Sequence, residues 1–281
     1  MSEVSPTSID GSTSEAGARS VGSLPPNPRD HADVVGRLRR GEQVIASWCS
    51  IDAPAATETI AAAGFDAILL DLEHGEFGPA SLPGLLRAVE VADATGLVRV
   101  RQVSELGPAL DAGASGVMVP DVRSVAAAEV AVAACRYAPA GDRGAAPMVR
   151  DASYGHRPFQ AHHLAAAPLI GVQLEGPQVL EVLDDVLAVE GLDLVFVGPH
   201  DLSQRLGFPG EVTHPDVVAA IRDVSERARA RNVATGVWSP DAAAARSWLD
   251  AGVGLVSVSN VTVLLAEAAG RLVAELRPAA D

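Results

Sequence analysis

A chain of 281 residues, 48% apolar and mostly aliphatic with only 4% aromatic side chains, has ample core for one large domain or two small ones. Its formal charge of −15 opposes binding to nucleic acid or to an anionic membrane surface, and leaves small anions as partners only where arginines gather. All 21 basic residues are Arg, so a lysine Schiff base with a keto substrate or with pyridoxal phosphate is excluded, and so is a lysine-bearing phosphate loop.

Residues 1 to about 28 are rich in Ser, Thr, Gly and Pro and read as a disordered tail ahead of a single domain over 29–281. There is no apolar leader and no long uninterrupted apolar run, so neither secretion nor membrane spanning is expected. Cys49 and Cys135 lack paired spacing and read as reduced, buried thiols of a cytoplasmic protein.

A short helix over Asp33 to Arg40 leads to a first strand, Val44 to Trp48. Ala55 to Ala63 is helical, Ala67 to Leu70 forms the second strand and Ser81 to Ala92 the next helix. Leu97 to Arg101 and Gly116 to Val119 are strands three and four, and Ser124 to Cys135 is a helix. The stretch from Tyr137 to Pro168 reads as an excursion loop with one helix inside, and its His156, His162 and His163 as surface residues. Leu169 to Glu175 and a run from Leu194 are strands five and six, flanking helical spacing over Pro177 to Val189. Pro215 to Arg231 is a long helix, Val233 to Val237 strand seven, Asp241 to Asp250 a helix, Leu255 to Val258 strand eight and Val261 to Leu276 the closing helix. His31 and His214 read as surface residues or caps, and Ala63-Gly64, Ala112-Gly113 and Ala251-Gly252 as left-handed helix ends. Strands alternating with helices, with no hairpin signal, predict a closed parallel (β/α)8 TIM barrel.

In such a barrel the carboxyl ends of the strands form the active face, and there the polar residues collect. Glu175 and Asp201 follow neighbouring strands and offer two hard oxygen ligands without a nearby thiol or a zinc-spaced His pair, which favours Mg2+ or Mn2+, with Co2+ a further candidate. A 2-oxo acid chelates such an ion, giving a lysine-free route to aldol chemistry. His74 follows Asp71 by three residues, a spacing that suits a carboxylate orienting an acid–base imidazole. Arg99 and Arg101 share a face of the third strand; an Arg there is costly unless it meets an anion, and Arg99 is preferred. Glu73, Asp121, Trp238 and Asn260 also fall on this rim.

These residues together resemble the HpcH/HpaI family of metal-dependent pyruvate aldolases, which includes relatives of the citrate lyase β subunit. The matching pieces are FDAILLDLEH from Phe65 to His74, LDAG from Leu110 to Gly113 with VMVP from Val117 to Pro120, RYAPAGDRG from Arg136 to Gly144, QLE from Gln173 to Glu175, and FVGPHDLS from Phe196 to Ser203. The resemblance implies a hexamer built from dimers that exchange the last helix, and reversible addition of pyruvate or a similar 2-oxo acid to an aldehyde. It assigns Glu175 and Asp201 to the metal, His74 with Asp71 to proton transfer, and Arg99 to the substrate's keto and carboxylate oxygens. Gln173 matches a position that either contacts the substrate or supports the residues that do, and the Gly198 and Pro199 backbone lies beside the substrate carboxylate. His200 stands where the family carries a small residue and Trp238 where many members carry an aliphatic one, which bears on the acceptor pocket. Two other activities fit less well: an acyl-CoA lyase, which needs a basic surface for nucleotide phosphates, and a barrel that binds metal and keto acid without turnover.

Overall fold

The computed structural model describes residues 33–156 and 158–277. The expected tail and His31 lie outside the described residues. In order the elements are α1 (Val34–Arg39), β1 (Val44–Cys49), α2 (Pro54–Ala61), β2 (Ala67–Asp71), α3 (Leu82–Val91), β3 (Thr95–Arg99), α4 (Leu106–Asp111), β4 (Gly116–Val119), α5 (Val125–Cys135) and α6 (Phe159–Ala165). There follow β5 (Leu169–Leu174), α7 (Pro177–Glu181), α8 (Leu183–Leu187), β6 (Leu194–Val197), α9 (Pro199–Arg205), α10 (Pro215–Ala230), β7 (Ala234–Ser239), α11 (Ala242–Asp250), β8 (Leu255–Asn260) and α12 (Val261–Leu276). Each strand pairs in parallel with the next and β8 closes onto β1, so the chain forms the expected (β/α)8 barrel.

The strands are short aliphatic runs because both their faces are covered. Alternate residues such as Ala46, Leu69, Leu97, Met118 and Phe196 fill the barrel, while Ile68, Val98, Val117, Val195 and Val237 meet the helices. Phe196 fits only because its register partner is Gly236, where a Cβ would lie 2.4 Å from the Phe196 ring. Trp48 stands edge-on against Phe196, with ring centres 5.6 Å apart, and the guanidinium carbon of Arg99 sits 4.5 Å over the Trp48 ring. A column therefore runs from the middle of the barrel to its mouth. The Ala-Gly helix ends adopt the expected positive φ, at +106° for Gly64, +99° for Gly113 and +85° for Gly252.

Three local expectations change. Strand β3 starts and stops two residues earlier than its apolar run suggests, because pairing with β2 extends down to Thr95 and the Arg101 amide turns away to Glu105 Oε2 at 2.9 Å. The predicted helix over Pro177 to Val189 is split in two at Val182, whose φ of −111° and ψ of 17° leave helical geometry. The excursion holds the one expected helix, α6, yet His162 is buried at 3% exposure and not on the surface. It lies 3.2 Å from the Tyr137 hydroxyl and 3.4 Å from Asp151, beside Arg143, which donates to Asp111 at 2.8 Å and Asp151 at 2.9 Å and stacks over the Tyr137 ring. His214 caps α10, its Nδ1 accepting from the Asp216 amide.

Candidate active site

Parallel register places the last residue of β2, Asp71, beside the last residue of β3, Arg99. Arg99 Nε and Nη2 donate to the two Asp71 oxygens at 2.9 and 2.6 Å, a bidentate fork buried on both sides. Asp71 Oδ1 also accepts from the Glu73 and His74 amides at 3.0 and 3.3 Å. With both oxygens engaged, the carboxylate does not reach the His74 ring, so the expected ring-orienting Asp71–His74 bond is absent. The imidazole is instead 70% exposed, its Nε2 3.7 Å from Glu73 Oε2. Arg99 Nη1 continues inward to Gln173 Oε1 at 3.3 Å, and Gln173 Nε2 donates to Glu175 Oε1 at 2.6 Å. Arg101 is exposed and pairs with Glu105, so of the two arginines only Arg99 enters the mouth.

Glu175 follows β5 and Gly198 follows β6 in adjoining register. A Cβ on Gly198 would lie 3.1 Å from Gln173 Nε2 and 3.5 Å from Asp201 Oδ2, so the missing side chain is what lets these groups converge. Pro199 and Asp201 stand in the first turn of α9, and the Asp201 side chain makes no hydrogen bond or ion pair among the described residues. His200 and Trp238 close the β6–β7 side of the mouth as a tilted ring pair 4.8 Å apart.

The charges of this mouth are unevenly matched. Burial first, then the neighbouring charges of Asp201, Glu73 and Asp121, push the Glu175 carboxyl up to about 7 against the pull of Arg205. Burial also raises Glu73, whose Oε2 is buried without a hydrogen bond although Arg99 Nη1 lies 3.1 Å away. Such a carboxylate-rich, oxygen-only set fits a hard divalent cation between Glu175 and Asp201. Among the described residues no group of three or more His, Cys, Asp or Glu side chains gathers as a metal-ligand set. A cavity of about 900 Å3 at the opposite end, lined by Arg37, Arg40 and Arg246, lacks this gathering of buried acids.

Sequence reasoning placed Glu73 on the rim without a role, although the Asp-x-Glu-His spacing of residues 71–74 carries the signal. It missed Trp48, whose place under Arg99 no local pattern announces, and Arg205, which lies 3.5 Å from Glu175 Oε2.

The family model described as HpcH/HpaI aldolase/citrate lyase matches residues 45–268. A hydroxypyruvate/pyruvate aldolase of Pseudomonas aeruginosa is 39% identical over 232 residues, 82% of this chain and 87% of that protein. A 4-hydroxy-2-oxo-heptane-1,7-dioate aldolase of Salmonella paratyphi B is 35% identical over 84% of this chain and 91% of its own. The crystal structure of an HpcH/HpaI aldolase/citrate lyase family protein from Burkholderia cenocepacia superposes with a TM-score of 0.82 at 33% identity, covering 87% of this chain and 99% of that one. The chain belongs to the HpcH/HpaI aldolase/citrate lyase family and is an enzyme of the aldolase type.

Proposed function

We propose that this enzyme joins a 2-oxo acid, pyruvate or a close relative, reversibly to an aldehyde, with Mg2+ or Mn2+ held by Glu175 and Asp201. The observation that carries the reading is the buried Glu175 carboxyl, raised to about 7 beside a partnerless Asp201 and linked through Gln173 to Arg99. The bound ion supplies the electron-withdrawing charge that lets the carbon beside a keto group lose a proton. Arg99, fixed in its rotamer by Asp71, meets the keto and carboxylate oxygens and holds developing negative charge. Asp71 acts through Arg99 and through the turn amides. The exposed imidazole of His74 moves the proton, with Glu73 as its nearest acid. Gln173 orients both Arg99 and Glu175, and the Gly198 and Pro199 backbone borders the substrate carboxylate. His200 and Trp238 narrow the acceptor side.

Exchange of pyruvate methyl protons in deuterated water tests this without knowledge of the acceptor. Exchange should depend on added metal and cease with chelator; exchange that persists unchanged in chelator overturns the reading.

The same proposal includes a cytoplasmic hexamer of dimers that exchange α12. In that 16-residue helix only Val261 is buried, while Val263, Leu265, Leu272, Val273 and Leu276 are 44–84% exposed, an apolar face that association would cover. Cys49 and Cys135 are free and buried, as suits a reducing compartment, and among the described residues no helix is long and apolar enough to cross a membrane. A monomeric mass by light scattering would remove the assembly from the proposal.

A further inference from the structure

Beside the candidate cation site lies a second arginine that the aldol reaction does not require. Arg205 ends α9 and stretches back across the rim, with Nη1 3.0 Å from Asp121 Oδ1 and Nη2 3.5 Å from Glu175 Oε2. Two features of the chain hold it there. Gly176 has ordinary extended geometry, yet a Cβ on it would lie 3.0 Å from Arg205 Nη1 and 3.5 Å from its Cδ, so the glycine gives the side chain its path. Asp121 takes the left-handed backbone, with φ of 52°, which is unfavourable for a non-glycine residue, and its carboxylate is shared between Arg205 and Arg123.

We propose that Arg205 is the resident counter-cation of the acidic mouth: it competes with the divalent ion for Glu175, and Asp121 draws it aside so that the ion can enter. This rests on the assignment of the ion to Glu175 and Asp201. The Arg205 side chain is 28% exposed, and its guanidinium makes a short contact with Asp121 and a longer one with Glu175, so it stands part-way between two carboxylates. A fixed positive charge this close to Glu175 opposes a second cation there through simple Coulomb repulsion, softened by solvent. Releasing Arg205 from Asp121 would let it settle on Glu175 and strengthen the competition. Arg205 is therefore a positioning residue for the cation site, and it sets the concentration at which the enzyme becomes loaded.

The test is direct Mn2+ binding to the metal-free, full-length protein, read from the electron paramagnetic signal of free Mn2+. Arg205→Met should tighten binding about three- to tenfold, whereas Arg205→Lys, which keeps the charge, should stay near the wild type. Asp121→Asn should weaken binding about threefold in the wild-type background and less in Arg205→Met, where the part that passes through the guanidinium is gone and only the direct charge of Asp121 on the site is lost. Unchanged or weaker binding in Arg205→Met, or an equal Asp121→Asn effect in both backgrounds, overturns the proposal. Glu175→Gln separates the two levels. If it abolishes Mn2+ binding while Arg205→Met changes nothing, only the counter-cation role fails. If the wild type binds no Mn2+, or binds it equally well as Glu175→Gln, the cation site itself falls and this inference with it.

Discussion

Two charge clusters in this barrel use the same residue types to opposite ends. In the excursion segment, Arg143 is buried and its two carboxylate partners are not: the side chains of Asp111 and Asp151 keep 27% and 29% of their exposure. At the mouth the exposures are reversed between Glu175, at 8%, and Arg205, at 28%, and Glu73 has an oxygen that hydrogen-bonds to nothing. A buried cation flanked by hydrated acids is a closed clamp. At the mouth buried acids repel one another instead: burial first, then the charges of Asp201, Glu73 and Asp121, push the Glu175 carboxyl up, and this is the setting proposed for the cation.

The comparison can be broken most severely at Glu175. Glu175→Gln should lower metal-dependent turnover by at least about a thousandfold. It should also alter the pH dependence of the metal-free protein. The folded-state value of Glu175 lies above its ordinary 4.5, so the native state holds the extra proton and stability falls as pH rises from 4.5 through about 7. Urea midpoints measured across that window should show the slope in the wild type and a flatter line in the variant; a slope of opposite sign would contradict the assignment. Next in size, His74→Ala should slow pyruvate proton exchange by about 10²- to 10⁴-fold with an unchanged melting temperature, since the ring is 70% exposed. At the other cluster the effect should fall on stability: Arg143→Met should cost about 3 kcal/mol by chemical denaturation and leave Mn2+ affinity unaltered. Smallest is Tyr137→Phe, which removes the hydroxyl that meets His162 at 3.2 Å and should cost about 1 kcal/mol by the same measurement.

The barrel was legible in the sequence because eight short aliphatic runs, each followed by a helical period, admit few other closed arrangements. The neighbourhood of Glu175 and Gly198 follows from the same periodicity, since parallel strands end together. What spacing cannot report is competition. Asp71 and His74 are three residues apart, but Arg99, 28 residues further on, takes both carboxylate oxygens. His162 escaped for a related reason: the excursion has no repeating pattern, and the partners that bury its ring, Tyr137 and Asp151, come from outside its own helix. Arg205 and Gly176 carry no local pattern that pairs them; they meet only in the folded chain, where a Cβ on Gly176 would lie 3.0 Å from Arg205 Nη1.

The column from Gly236 through Phe196 and Trp48 to Arg99 ties the height of the Arg99 guanidinium to an atom that is not there. Adding a single methyl at position 236 would lift Phe196, tip the indole above it and raise the guanidinium away from Gln173, so a change in the floor of the barrel would be felt in catalysis before it was felt in folding. Variants that tolerate Gly236→Ala should therefore carry a smaller ring or an aliphatic group at position 196, trading bulk between adjacent strands to keep the arginine level.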